Sequence, residues 1–290
     1  MRHRDGPSGE SDESQQELIG HGGGVAGRDG QGPRGAGVPL GAPCAPIDGT
    51  LTAETTLFRF LRYYLAAQGH GAHEYDHRRR RLAAMTAIGI PRERTNLAYF
   101  ENFRNAEATT VSRIAQEWFE AELRRGGFFN GHVLAALHRH QENGNRTVLV
   151  SGSFPACLGP LAEHTGVDDI WCTPPEIVNG RYTGGLVGPP MIGHAKADAV
   201  RLSAAGYGAS LDDCVAYGDH ISDLPMLRAT GSAVVVGEDK ELLAQGGSRP
   251  WGLLPGALPP PPLPLPPPMV RPIGGGGSVA GGSGPQYVEE

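Results

Sequence analysis

Cys214-Val215-Ala216-Tyr217-Gly218-Asp219-His220-Ile221-Ser222-Asp223 runs a short apolar stretch directly into a cluster of polar and acidic residues. The stretch is too short for a helix and lacks the alternation of a half-solvated strand, so it reads as a strand covered on both faces of a parallel sheet. Thr147-Val148-Leu149-Val150, followed by Ser151, and Ala233-Val234-Val235-Val236 have the same form. Helical segments separate these runs, and the fold class is therefore α/β. In open sheets of this kind ligands collect at the carboxyl ends of strands, where Ser151 and Asp219 stand.

Upstream the apolar period is helical. Leu57, Phe58, Leu61, Tyr64 and Leu65 share one face, as do Val111, Ile114, Ala115, Trp118 and Phe119, and a further helix is predicted around Tyr75 to Ile88. Trp118 and Phe119 are core candidates. Val133 to Gln141 is predicted as a helix that Gly144 ends. Glu176 to Thr183 places Asn179-Gly180 between two β-prone segments, the signature of a hairpin with a type I′ turn.

Glycine (44) and proline (25) supply 69 of 290 residues, more than a folded domain ordinarily uses, and they concentrate at the ends. The first 46 residues hold 12 glycines, and Pro255 to Pro268 hold nine prolines. Both ends are expected to be disordered or extended, since neither buries enough apolar surface to offset the entropy of ordering. The division expected is a disordered tail over 1–44, a core over 45–56 and 130–250, a helical block over 57–129 and a disordered tail over 251–290. The proline tract is a candidate site for a protein partner, although a solvated tail is the simpler reading.

A formal charge of −6 argues against a nucleic-acid binder, and the run Arg78 to Arg81 reads as the solvated face of a helix. Cys44, Cys157, Cys172 and Cys214 lack the spacing of a zinc site or a disulfide framework. No segment has the length and apolarity of a membrane span or a signal peptide, so a cytoplasmic location is expected.

Asp48-Gly49-Thr50 opens a turn before the first helix, and Lys196 enters a later one within Gly193-His194-Ala195-Lys196. His194 reads as structural. Carboxylates at strand ends suit a hard cation such as Mg²⁺, while a hydroxyl and a lysine neutralise phosphate oxygens. In this order, over residues 46 to 223, the motifs resemble those of the haloacid dehalogenase superfamily, in its phosphoserine-phosphatase-like branch. The resemblance implies a Rossmann-like parallel sheet with an inserted helical cap and a small hairpin beside the first motif. It implies Asp48 as acid/base, with its backbone oxygen on Mg²⁺, and Thr50, Ser151, Gly152 and Lys196 as phosphate binders. Asp219 is implied as a metal ligand and Asp223 as its partner at one remove.

The family's nucleophilic aspartate falls on Pro46, which offers no attacking oxygen. Gly41 to Pro46 also lacks an apolar strand, so one event upstream of Ile47, such as a frameshift, a gene fusion or decay, is expected to have removed strand and nucleophile together. Glu54 lies six residues after Asp48, where the phosphoserine enzymes have a spacing of seven, so their amino-acid-reading role is not carried over. Two functions follow: a Mg²⁺-dependent phosphomonoester hydrolase of a small phosphorylated metabolite, impaired at Pro46, or a pseudophosphatase that binds a phospho-ligand and regulates.

Overall fold

The computed structural model describes residues 44–46, 48–246 and 251–269. Strand β1 (Cys44–Pro46) precedes helices α1 (Thr56–Ala67), α2 (Ala72–Ala87), α3 (Arg92–Phe100), α4 (Ala108–Arg125) and α5 (Gly131–Glu142). Then come β2 (Val148–Ser151), α6 (Pro155–Thr165), β3 (Asp169–Cys172) and the pair β4 (Pro175–Val178) and β5 (Arg181–Leu186). The chain continues through α7 (His194–Tyr207), β6 (Val215–Gly218), α8 (Leu224–Ala229), β7 (Ser232–Val236), α9 (Lys240–Ala244) and β8 (Gly252–Leu254).

Six of these strands form a parallel sheet in the order β3-β2-β1-β6-β7-β8, the doubly wound arrangement with β1 at the switch point. Its central strands β2 and β6 are almost wholly buried, as continuous apolar runs require. The hairpin β4–β5 stands apart, and Asn179 (φ 51°) and Gly180 (φ 74°) both take the left-handed backbone of a type I′ turn. At the end of α5 the Asn145 N–H bonds the His140 carbonyl and the Gly144 N–H bonds the Gln141 carbonyl, with Gly144 at φ 76°. These two bonds make a Schellman stop.

Two expectations are corrected. A strand does precede Ile47: Cys44 is level with both Val148 and Ala216, and Pro46 with Val150. The slot between two strong strands supplies the ladder partners, so neighbours override the weak β-propensity of Cys-Ala-Pro. Proline ends the strand, so its missing N–H removes at most one donor from the ladder. The unstructured tail does not start at Trp251, because β8 pairs with β7 over Val234 to Val236 and Leu263 is buried. The expected tails over 1–43 and 270–290 lie outside the described residues.

Helices α1 to α4 form one layer, and α1 and α4 bury the faces expected of them, with Trp118 and Phe119 inside. This layer is continuous with the sheet's core, since Phe154, just before α6, packs on Phe60, Phe100 and Phe103 at 5.3–5.9 Å between ring centres. The two chain crossings into the layer lie side by side, with the Ala53 N–H on the Phe128 carbonyl and the Asn130 N–H on the Leu51 carbonyl, both at 2.9 Å. Among the described residues no helix is long and apolar enough to cross a membrane.

His140, half-buried, lies 2.8 Å from the Tyr217 hydroxyl through Nε2 and 3.3 Å from the Asn145 amide through Nδ1. Burial, helped by Arg139, lowers its pKa below the usual imidazole value. A lowered histidine is held neutral in the fold, so its contribution is present above pH 6.5 and is lost as pH falls through the folded value. Between pH 7.5 and 5.5 we expect the urea midpoint of the native chain to drop relative to that of His140→Gln, in which the histidine's share is gone. An unchanged pH slope in His140→Gln would refute the assignment.

Candidate active site

Asp48, Ser151, Lys196, Asp219 and Asp223 converge from four separate segments on the floor of one cavity of about 450 Å³. The positions follow from the sheet: β1 leads to Asp48, β2 ends at Ser151 and β6 ends just before Asp219. Lys196 projects from the first turn of α7.

The floor is knit by direct hydrogen bonds. Ser151 Oγ donates to Asp48 Oδ2 at 3.2 Å, and the Thr56 N–H donates to Asp48 Oδ1 at 2.6 Å. Lys196 Nζ donates to Asp223 Oδ1 at 2.6 Å, and the Asp219 N–H reaches Asp223 Oδ2 at 3.3 Å. Thr50 Oγ1 donates to Asp219 Oδ1 at 2.7 Å.

This corrects the reading of Thr50: the residue is fully buried, is absent from the cavity lining, and uses its hydroxyl to hold Asp219. Asp223 stands at the N-cap position of α8 without capping it through its side chain, because its oxygens are taken by Lys196 Nζ and the Asp219 N–H. Gly152 lines the cavity, with its carbonyl held by Asn96 Nδ2 and Thr173 Oγ1. Position 46 ends the central strand beside Val150, one residue short of Ser151's level.

Burial pushes the Asp48 carboxyl upward, against the pull of Thr56, Lys196 and Ser151. Asp219 rises to about 7, through burial first and the Asp223 charge second. Three carboxylates face one ammonium here, which leaves the floor short of positive charge. Among the described residues no group of three or more His, Cys, Asp or Glu side chains is arranged to enclose a metal. An open floor with hard oxygen donors nevertheless fits Mg²⁺, which takes one or two protein carboxylates and fills its other positions with water and phosphate.

Gly49 is what lets these segments meet. Its φ is 79°, and a Cβ there would lie 2.0 Å from Asp219 Oδ2. We expect Gly49→Ala to displace Asp219 and to lower stability by about 1–2 kcal/mol, the cost of a Cβ at positive φ, or more. Urea midpoints check this, and a wild-type midpoint in the variant would refute it.

The helical layer closes the cavity from above with Phe58, Leu82, Arg92, Asn96 and Tyr99. Arg92 Nη1 reaches across to His220 Nδ1 at 2.8 Å and Ser222 Oγ at 3.0 Å. The helical block expected over 57–129 contains α3, but sequence reading did not single out Arg92 or Asn96, because an exposed arginine after Pro91 carries no periodic signal. Glu54 does not line this cavity, and its carboxylate pairs with Arg59.

The haloacid dehalogenase-like hydrolase family model matches residues 47–228, more than half of the chain. The chain belongs to that family. A probable phosphatase of Mycobacterium tuberculosis is 39% identical over 115 residues, 40% of each chain. A phosphoserine phosphatase of the same organism is 34% identical over 112 residues, 39% of this chain and 36% of that protein. The matched stretch spans about 40% of the length of these curated relatives. Among solved structures, a protein of unknown function from Bordetella pertussis Tohama I superposes with a TM-score of 0.66 at 21% identity, covering 74% of this chain and 98% of that one. An apo phosphoserine phosphatase gives 0.55 at 16% identity, covering 74% and 93%. As a haloacid dehalogenase-like hydrolase, the chain has the fold of the phosphoserine-phosphatase-like branch.

Proposed function

We propose that the chain is a Mg²⁺-dependent phosphomonoester hydrolase of a small phosphorylated metabolite, with turnover held low by Pro46. The observation that carries this reading is the convergence of Asp48, Ser151, Lys196 and Asp219 on one cavity floor. Lys196 and Ser151 would neutralise the phosphate oxygens, and Asp48, its carboxyl raised by burial, would hand a proton to the leaving oxygen and regain one from solvent after the product leaves. Asp219 and the Asp48 backbone oxygen would hold Mg²⁺, which supplies charge neutralisation when bound, with Asp223 steadying Asp219 and Lys196. The covalent route needs a carboxylate where Pro46 stands, so displacement is left to water.

p-Nitrophenyl phosphate tests the proposal. Slow release of nitrophenol that requires Mg²⁺ and disappears in Asp219→Asn is expected. Turnover that ignores both Mg²⁺ and Asp219 would refute the assignment. Pro46 itself favours a second reading, a pseudophosphatase that binds a phospho-ligand through Ser151 and Lys196. Inorganic phosphate binding that Lys196→Met removes, with no turnover at any Mg²⁺ concentration, would select it.

A further inference from the structure

From Ala257 onward every third residue is sheltered. Ala257, Pro260, Leu263, Pro266 and Met269 are covered, Leu263 most of all, and the two residues between each of them are exposed. A repeat of three belongs neither to an α-helix nor to a strand. It is the period of polyproline II, which has about three residues per turn and no internal hydrogen bonds. Nine prolines between 255 and 268 pre-set that backbone and leave few N–H donors to satisfy.

Polar contacts fix the path at both ends. The Gly237 N–H bonds the Leu254 carbonyl at 2.9 Å, and Asn130 Nδ2 bonds the Pro255 carbonyl at 3.0 Å. Arg125 donates to the Pro261 carbonyl, and the Met269 N–H reaches the Ala67 carbonyl at 2.8 Å. The segment thus leaves the outer strand of the sheet, passes the crossing at 126–130 and ends on the last turn of α1.

We propose that residues 257–269 form a polyproline II strap that docks by this single edge on the helical layer and ties α1 and α4 to the sheet's outer strand. Pro260 to Leu263 close one side of a second cavity of about 540 Å³, between the strap and helices α1 and α2. That cavity adjoins the active-site cavity, because Thr55 and Phe58 line both. The strap therefore fixes the helix whose first turn walls the active site, and it covers the side of the layer where Arg125 is buried.

A disulfide tests the register in the full chain. A Cβ at Gly69 would lie 3.6 Å from Pro268 Cβ, inside the disulfide range of about 3.5–4.5 Å. In the Gly69→Cys, Pro268→Cys chain we expect a cross-link within one molecule. Leu263→Asp, on the docked edge, should slow its formation at least tenfold, whereas Leu258→Asp, on an exposed edge, should change it less than twofold. Equal effects of the two substitutions, no cross-link, or a cross-link only between molecules would overturn the proposal. Should the cysteine pair disturb folding, amide exchange at Met269 in the otherwise native chain reads the same docked edge. Its protection should be lost in Leu263→Asp and kept in Leu258→Asp, and an unprotected Met269 amide in the native chain would overturn the proposal.

Discussion

Pro46→Asp raises Mg²⁺-dependent hydrolysis of p-nitrophenyl phosphate by a factor on the order of 10³ or more, the largest effect expected of any single substitution. Deleting a nucleophile in other hydrolases costs on the order of 10⁶ in turnover, and a restored one recovers part of that range. The structure makes recovery credible because β1 is in place, with position 46 at the end of the central strand between β2 and β6. An aspartate there would sit level with Val150, one residue before Ser151, with Asp48, the proposed acid/base, two residues on. It would also return the N–H that proline lacks, and a ladder hydrogen bond contributes about 0.5–1.5 kcal/mol of stability. Steady-state assays of the two proteins at equal Mg²⁺, with urea denaturation beside them, measure both effects. A Pro46→Asp protein that folds, binds phosphate and turns over no faster would show that the site fails for a reason other than the nucleophile.

Glu122→Ala destabilises the fold by about 3–5 kcal/mol, the cost typical of breaking a buried ion pair from one side. Glu122 has no exposed surface, and its carboxylate accepts from Arg59 Nε at 2.6 Å, Arg59 Nη2 at 2.9 Å and Trp118 Nε1 at 3.0 Å. The Arg125 guanidinium lies 2.7 Å from it and is itself buried, which lowers the Arg125 pKa. Removing the acid leaves two guanidiniums facing each other in an apolar layer with one exposed glutamate, Glu54, nearby. Glu122→Gln keeps an acceptor and should cost less. Urea midpoints at an unchanged m-value are the measurement. A loss below about 1 kcal/mol for Glu122→Ala would mean that water reaches both arginines.

How far the sequence was legible depends on whether a residue's role is local. Val148 to Val150, Val215 to Tyr217 and Ala233 to Val236 announce buried parallel strands by composition alone, and Asn179-Gly180 announces its turn because both positions must accept positive φ. Ser151 and Asp219 were legible for the same reason, since each follows a strand run, while Asp48 and Lys196 joined them through the order of the motifs that resemble the family's. Cys44 to Pro46 failed that kind of reading because the strand is held by its neighbours' hydrogen bonds and not by its own preference. The proline segment failed it too, because a composition that predicts a solvated chain also suits a rigid one wherever an apolar face is available to dock on.

The sequence alone determined the α/β class, the helical block and the strand-end positions of Ser151 and Asp219, because periodicity and strand-end position are local properties. Only the tertiary structure decided the rest: that β1 exists, that Thr50 bonds Asp219 from outside the cavity lining, that Arg92 spans the cavity mouth, and that residues beyond Trp251 pack. Each of these depends on a partner distant in the chain, from Asp219 for Thr50 to Ala67 for Met269, and no local pattern encodes which partner that is.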